Sequence, residues 1–225
     1  GAQDVDVIDA MSQAVADGFL SGILVGDAEL IRKMATKNAF TIDTLEIIDK
    51  QDVNEAAHCA VKLASDGKAD AIMKGFLPTS ALLKVVLDKQ YNLRGKNTLS
   101  HCAVLDIPGY HKLLNFTDGG MVVKPDFDQK YQILENAVLV GRALGLSPVK
   151  VALSAGSDIL SEQMPHTLSD LEDIVPMALE RIPDIAIHGP MTLDMATSRK
   201  AADYEGSSGS VLGDADVYLV DSIEE

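Results

Sequence analysis

The chain has 225 residues, of which 47% are hydrophobic and 24% charged, as in ordinary globular proteins of one or two domains. Its formal net charge of −15 at pH 7 argues against a nucleic-acid-binding protein, because such proteins carry a basic face. No run approaches the roughly 18 apolar residues of a membrane helix, and no signal-like segment opens the sequence. We therefore predict neither a membrane protein nor a secreted one.

Cysteine and histidine usage agrees with this prediction. The two cysteines, Cys59 and Cys102, lie far apart and form neither a disulfide framework nor a CxxC zinc pair. The five histidines show no metal-ligand spacing, so no metal site is predicted. These features favour a reducing, cytoplasmic setting.

Apolar residues alternate between helical spacing and short buried runs in the first part of the chain. In chain order, the pattern predicts a helix over residues 5–19, a strand over 22–26, a helix over 28–40, a strand over 44–49, a helix over 54–65, a strand over 69–73 and a helix over 79–90. Such alternation is typical of an α/β protein with a parallel sheet covered by helices on both faces.

The alternation of predicted helices and strands is interrupted near residue 95. We place the domain boundary there, between a first α/β domain (1–94) and a second (95–225). Two strand-like runs over 98–107 and 112–116 are joined by a short Pro-Gly-Tyr link, which is typical of an antiparallel pair. Alternation then resumes, with a helix over 128–144, a strand over 149–153, a helix over 168–181, a strand over 184–187, a helix over 193–204 and a strand over 217–220.

Charge is spread unevenly along the chain. Residues 74–150 hold ten basic and six acidic side chains, whereas residues 151–225 hold three basic and 15 acidic ones. A basic middle in an acidic chain either binds a small anionic ligand or reflects chance clustering of solvated charges. Charge alone leaves both interpretations open.

Polar clusters directly follow four of the predicted strands. Their members are Lys74 and Gly75 with Thr79, residues 117–120 around Asp118, residues 154–157 beginning at Ser154, and residues 188–190 with Asp194 beyond them. In open α/β sheets, ligands bind beyond the carboxyl ends of strands, where helix N-termini attract anions. The recurrence favours a phosphate-bearing ligand, and the competing interpretation is that these are ordinary loop and cap residues.

Standard catalytic motifs are absent from the sequence. There is no GxxxxGK[ST] loop, no GxGxxG after the first strand and no GxSxG elbow. Ser100 and His101 are neighbours in a predicted strand, so their side chains should point to opposite faces. We therefore expect that they do not form a nucleophile and base pair.

An ordered series of short motifs runs through nearly the whole chain. It comprises Ile23-Leu-Val-Gly-Asp27, Asp70-Ala-Ile-Met-Lys-Gly75, Leu99-Ser-His101, Thr117-Asp-Gly-Gly-Met121, Gly189-Pro190 with Leu193-Asp194, and Gly213-Asp-Ala-Asp216. The series resembles the phosphate acetyl/butyryltransferase family, and it is nearer the butyryltransferase branch.

This resemblance implies a two-domain α/β/α fold of the isocitrate/isopropylmalate dehydrogenase type, with mostly parallel sheets and an antiparallel pair in the second domain. The implied reaction converts acyl-CoA and phosphate to acyl phosphate and CoA. It would proceed by direct attack in a ternary complex, in the cleft between domains. The coenzyme A thioester is a substrate and no further cofactor is implied. The resemblance also implies a homodimer or a higher homo-oligomer.

The resemblance and the polar clusters together give the candidate site residues. We predict Thr79, Ser100 and Asp118 as catalytic residues. The residues predicted to bind phosphate or CoA are Lys74, Gly75, His101, Ser154, Pro190 and Asp194.

Family members also have one more strand before the position of Gly1 and a segment after Glu225 that bears a Ser-Arg-(x)-Asp run. We therefore expect the chain to be the middle of a longer protein. Its first domain would lack an initial strand and a return segment, and the chain alone would lack part of the active site.

Two alternative functions stay open. One is a non-catalytic homologue that binds CoA or acyl phosphate. The other is a metal-dependent decarboxylating dehydrogenase on the same fold, which the scattered arginines do not favour.

Overall fold

The structure is a computed structural model that describes residues 1–154 and 165–222. Contacts divide the chain into two compact units, Gly1–Gly95 and Lys96–Glu225. Within the described ranges, no helix is both long enough and apolar enough to cross a membrane.

The first unit combines a two-stranded parallel sheet with helices. Its elements are α1 (Val5–Ala16), β1 (Ile23–Gly26), α2 (Ala28–Asn38), β2 (Glu46–Asp49), α3 (Val53–Ser65), α4 (Thr79–Val86) and a 3₁₀ helix (Lys89–Tyr91). Aspartates begin the first three helices, because the side chains of Asp4, Asp27 and Asp52 accept hydrogen bonds from first-turn N–H groups. Ile8 and Ile31 pack with Leu24 of β1 in the core.

The strand predicted over residues 69–73 is wrong, because the structure gives these residues no strand partner. Ile72 packs beside Val61 of α3 and Val85 of α4, whereas Met73 is 56% exposed. A short apolar run does not by itself distinguish a paired strand from an extended segment that packs against helices.

The second unit is built on a mixed sheet with strand order β3-β4-β7-β5-β6 among the described residues. Its elements are β3 (Ala103–Leu105), β4 (Leu114–Thr117), α5 (Phe127–Ala143), β5 (Val149–Ser154), α6 (Pro165–Arg181), β6 (Ile185–Met191), α7 (Leu193–Thr197), α8 (Arg199–Tyr204) and β7 (Val217–Leu219). β3 runs antiparallel to β4, as predicted, and the other neighbouring strands are parallel.

The sheet of the second unit is apolar on both faces, which is typical of strands covered by helices on each side. Val151 and Leu153 of β5 face a cluster that includes Ile133 of α5 and Ile174 of α6. Ala152, between them, faces a second cluster around α7. The predicted α/β architecture of parallel strands and covering helices is thereby confirmed for this unit.

The single helix predicted over residues 193–204 is wrong, because Ser198 divides it into α7 and α8. Ser198 has an extended backbone (φ −131°, ψ 112°), and its hydroxyl accepts a hydrogen bond from Ala201 N–H. The backbone of Gly213 approaches this break so closely that a Cβ there would lie 2.3 Å from Arg199 N. Long-range packing therefore decides where the helix is interrupted.

Basic residues of the middle stretch pair with acidic residues of the last third at the amino ends of β4, β5 and β7. Lys112 Nζ lies 2.7 Å from a carboxylate oxygen of Asp214 and from one of Asp216. Lys150 Nζ contacts Asp214, and Lys150 N–H donates to the buried Asp216 carboxylate at 2.7 Å. Part of the uneven charge distribution along the sequence therefore stabilises the fold, because these opposite charges neutralise one another.

The contacts of Asp214 predict that the folded state becomes less stable at acidic pH. Burial raises the pKa of Asp214, but hydrogen bonds from Lys112, Lys150 and His111 outweigh burial and hold the pKa well below its usual range. A lowered pKa stabilises the folded state above the unfolded-state pKa of about 3.9 and loses this effect as the pH falls. We expect Asp214→Asn to lower the free energy of unfolding by about 1–2 kcal/mol at pH 7, where the charged pair is present.

Urea unfolding at pH 7 and pH 3.5 checks this prediction. The difference between the unaltered protein and Asp214→Asn should shrink at the lower pH. A difference of equal size at both values would show that the Asp214 charge does not contribute.

Candidate functional site

One edge of the second unit's sheet gathers most of the predicted site residues of that unit. Since β4, β7, β5 and β6 are parallel neighbours, their carboxyl ends meet at this edge. β3 is antiparallel, so its amino end reaches the same edge. The residues before β3 therefore lie beside those that follow β4, at the end of the sheet where α/β proteins bind ligands.

Asp118 directly follows β4 and organises a tight turn through its carboxylate. Oδ1 accepts hydrogen bonds from the N–H groups of Gly120 and Met121 at 2.9 and 2.8 Å. Oδ2 accepts one from His101 N–H at 3.1 Å. Asp118 is only 3% exposed, so these three donors compensate a buried carboxylate. The residue fastens the turn after β4 to the segment before β3.

Ser100 and His101 lie just before β3 rather than within a strand. The predicted strand over residues 98–107 is shortened to Ala103–Leu105, so the alternation argument that placed their side chains on opposite faces does not apply. Side chains instead hold the backbone of this segment. Thr117 Oγ1 donates to His101 O at 2.7 Å, and Thr98 N–H donates to Gln132 Oε1 at 2.7 Å.

A second residue of α5, Asn136, also anchors the segment before β3. Asn136 Nδ2 donates to Thr98 O at 2.9 Å and to Ser100 Oγ at 2.8 Å. Asn97 Nδ2 in turn donates to Asn136 Oδ1 at 3.1 Å. Ser100 is partly buried and His101 is exposed, with the His101 ring against Gly120. The structure therefore brings Ser100, His101 and Asp118 together.

Ser154, Pro190 and Asp194 lie farther along the same sheet. Ser154 ends β5, is buried, and accepts a hydrogen bond from Tyr218 OH at 3.0 Å. Pro190 lies inside β6, which extends four residues beyond the predicted Ile187 and ends only at Met191. Asp194 is exposed in the first turn of α7. A hydrogen bond from Thr192 Oγ1 lowers the pKa of Asp194.

β6 can extend because Gly189 lets it approach β5 closely. A Cβ at Gly189 would lie 2.6 Å from Leu153 Cβ and 2.8 Å from Leu153 O. The register between the two strands shifts between Ala152 and Ser154. The Gly-Pro pair, predicted as a loop after the strand, is therefore part of an irregular strand.

Lys74, Gly75 and Thr79 belong to the first unit. Lys74 is exposed, and its Nζ donates to Gly75 O and Leu77 O at 3.3 and 3.2 Å. Thr79 begins α4 and is exposed, and the preceding Pro78 makes no side-chain cap. A Cβ at Gly75 would lie 2.3 Å from Gly1 O, so close backbone packing requires glycine at this position.

Sequence reasoning assigned no role to several residues that shape the carboxyl edge. Gln132 and Asn136 are one turn apart on α5, and this spacing was a readable signal of a shared polar face. Lys130, on the same helix, is 6% exposed and pairs with Asp221 just beyond β7 at 2.5 Å. A lysine in an otherwise helical pattern gave no indication that it would be buried.

No group of three or more His, Cys, Asp or Glu side chains in residues 1–154 and 165–222 is arranged to hold a metal ion. The same ranges concentrate hydroxyl, amide and backbone groups at the carboxyl edge of the second sheet. Fold and site together define an α/β protein with a polar cluster at that edge.

The sequence matches the family described as "Phosphate acetyl/butaryl transferase" over residues 50–224. The chain belongs to this family, which confirms the resemblance drawn from the ordered motifs.

Individual relatives agree with this membership. The chain is 37% identical to the phosphate butyryltransferase of Clostridium acetobutylicum, over 99% of this chain and 74% of that protein. It is 30% identical to the phosphate acetyltransferase of Thermotoga maritima, over 99% of this chain and 76% of that protein. Among solved structures, a branched-chain phosphotransacylase from Enterococcus faecalis V583 is similar, with a TM-score of 0.77 and 28% identity. That match covers 91% of this chain and 80% of the other.

Proposed function

We propose that this chain is a phosphate acyltransferase that converts acyl-CoA and phosphate to acyl phosphate and CoA. The observation that carries the proposal is the family match over residues 50–224, which includes every proposed site residue from Lys74 to Asp194. Identity of 37% with a phosphate butyryltransferase over nearly the whole chain supports the same activity.

The proposed chemistry is a direct transfer in a ternary complex. An oxygen of hydrogen phosphate attacks the thioester carbonyl carbon, the C–S bond breaks, and the proton lost by phosphate ends on the CoA sulfur. Charge develops on the carbonyl oxygen and on the sulfur as the reaction proceeds. Hydrogen-bond donors fixed before the reaction begins stabilise such charge most effectively.

Three residues are proposed to contact the reacting groups or the phosphate. Lys74 supplies an exposed positive charge, and the exposed Thr79 hydroxyl lies at the start of α4, where the helix dipole favours anions. Ser100 supplies a hydroxyl held in place by Asn136. We propose a positioning role for Asp118, because backbone N–H groups already occupy both of its carboxylate oxygens.

The remaining predicted residues are proposed as binding positions of lesser weight. His101 is exposed beside Gly120, and Asp194 is exposed at the start of α7. Ser154 and Pro190 shape the carboxyl ends of β5 and β6. For Gly75, the close approach of Gly1 O supports a packing role beside any role in phosphate binding.

We also propose three broader properties. The fold is of the isocitrate/isopropylmalate dehydrogenase type, supported by parallel strands with one antiparallel neighbour. The protein functions in a reducing compartment, the cytoplasm, supported by two cysteines that form no disulfide. It assembles as a homo-oligomer, for which the family resemblance is the support.

Formation of acyl phosphate tests the proposed function. The full-length gene product should release CoA thiol from butyryl-CoA or acetyl-CoA only when phosphate is added. Acyl phosphate should appear in equal amount by phosphorus NMR. The ratio of rates with the two substrates reports acyl-chain preference, since one methylene changes binding by about 1–3 kcal/mol. Binding of CoA by a folded protein without thiol release would instead support the non-catalytic homologue.

A further inference from the structure

We propose that Asn136 is a positioning residue that makes the Ser100 hydroxyl a dedicated hydrogen-bond donor to a phosphate oxygen. The inference rests on the proposed function, and it deepens that proposal by giving one side chain a defined proton orientation.

The orientation of the Asn136 amide is fixed by its neighbours. Thr98 O, a carbonyl oxygen, can only accept, so the Asn136 atom 2.9 Å from it must be the nitrogen. The amide oxygen then faces Asn97 Nδ2, which donates to it at 3.1 Å. Both contacts require the same assignment of nitrogen and oxygen, so the amide is not free to turn over.

The same nitrogen lies 2.8 Å from Ser100 Oγ. A fixed NH₂ group donates and cannot accept, so Ser100 Oγ must be the acceptor in this contact. The Ser100 hydroxyl proton therefore points away from Asn136. Among the residues that the structure describes, Ser100 makes no other side-chain hydrogen bond, so its proton has no protein acceptor there.

Hydrogen bonds to the backbone of the neighbouring residues hold the segment around Ser100 in place. His101 N–H is held by Asp118, and Thr98 N–H is held by Gln132. Ser100 thus lies between two anchored residues, and its hydroxyl is the side-chain donor that it can offer to a ligand. An anionic oxygen is the acceptor that such a donor recognises best, because hydrogen bonds to charged groups are stronger than neutral ones.

A coupled set of variants of the full-length gene product tests the inference. Asn136→Ala should lower kcat/KM for phosphate by about tenfold, because the hydroxyl is then free to turn. Ser100→Ala should lower it at least as much. The double variant should fall within about twofold of Ser100→Ala alone, since Asn136 acts through that hydroxyl.

Gln132→Ala is the matched control, because Gln132 anchors the same segment from the same helix without touching Ser100. It should lower kcat/KM for phosphate by less than Asn136→Ala does, because Asn136 still orients the Ser100 hydroxyl when the segment loosens. A loss equal to that of Asn136→Ala would show a merely structural role and overturn the proposal. The proposal would also be overturned if the losses of kcat/KM in Asn136→Ala and Ser100→Ala were fully additive in the double variant, or if Ser100→Ala had normal kinetics.

Asn136→Asp provides a second test, which applies if Asn136→Ala does not fold. Asn136→Asp keeps the side-chain size but places an acceptor beside Ser100, which draws the hydroxyl proton away from the ligand. It should lose at least as much kcat/KM for phosphate as the alanine variant, and unchanged kinetics would contradict the proposal.

Failure of the proposed function is separable from failure of this inference. If the unaltered protein releases no thiol, calorimetric titration with inorganic phosphate replaces the kinetic measurement. Ser100→Ala and Asn136→Ala should then weaken phosphate binding to a similar degree and without additivity. Additive losses of phosphate affinity in the two variants, or no loss in either, would overturn the inference.

Discussion

Replacing Asp118 with alanine is expected to lower the free energy of unfolding by about 3–5 kcal/mol. The change removes a 3% exposed carboxylate and leaves three backbone donors without their acceptor. Hydrogen bonds to charged groups contribute about 1.5–3 kcal/mol each, and losses at one side chain are less than additive. Equilibrium denaturation in urea measures the change directly.

Asp118→Asn is the matched comparison for this prediction. The amide oxygen can still accept from Gly120 and Met121, but an NH₂ group then faces His101 N–H. We expect an intermediate loss of stability and a marked loss of thiol release, because Ser100 adjoins the disturbed contact. An alanine variant as stable as the unaltered protein would show that the turn does not depend on this carboxylate.

Replacing Thr79 with valine is expected to lower kcat/KM for phosphate by about 10- to 100-fold, with the stability changed by less than about 0.5 kcal/mol. Valine matches the shape of threonine and removes only its hydroxyl. Thr79 is exposed, and no described residue makes a side-chain hydrogen bond with it. The hydroxyl is therefore dispensable for folding and available to a ligand.

Thr79→Ser keeps the hydroxyl and is the control. It should retain most of the activity, while the valine variant does not, and thermal unfolding should be similar in both. Equal turnover by the valine variant would remove Thr79 from the proposed site.

The parts of the fold that the sequence predicted well are those determined by local pattern. The helix over 54–65 and the strand over 149–153 correspond closely to α3 and β5, because their apolar periodicity is clear. The antiparallel pair around Pro108 was also predicted, although β3 and β4 are shorter than the predicted runs and residues 106–113 join them. The strand predicted over 69–73 was wrong, because strand pairing depends on a partner distant in sequence and the structure gives this segment none.

The predicted site residues came from residue type and resemblance, whereas their geometry depends on contacts distant in sequence. Ser100 and Asp118 were identified, but their shared connection through His101 N–H was not. Asn136 lay in an ordinary amphipathic helix pattern and gave no sign of its contact with Ser100. Gly189 resembled a loop residue because a close approach between strands cannot be read from composition.

The measurement that tests the central claim most directly is thiol release from butyryl-CoA without phosphate, at enzyme and substrate concentrations of similar size. Direct transfer to phosphate predicts no release until phosphate is added, followed by release in proportion to acyl phosphate formed. A burst of thiol equal to the enzyme present, before any phosphate is added, would show an acylated protein side chain. That result would contradict the account, in which Ser100 and Thr79 donate hydrogen bonds and phosphate itself is the nucleophile.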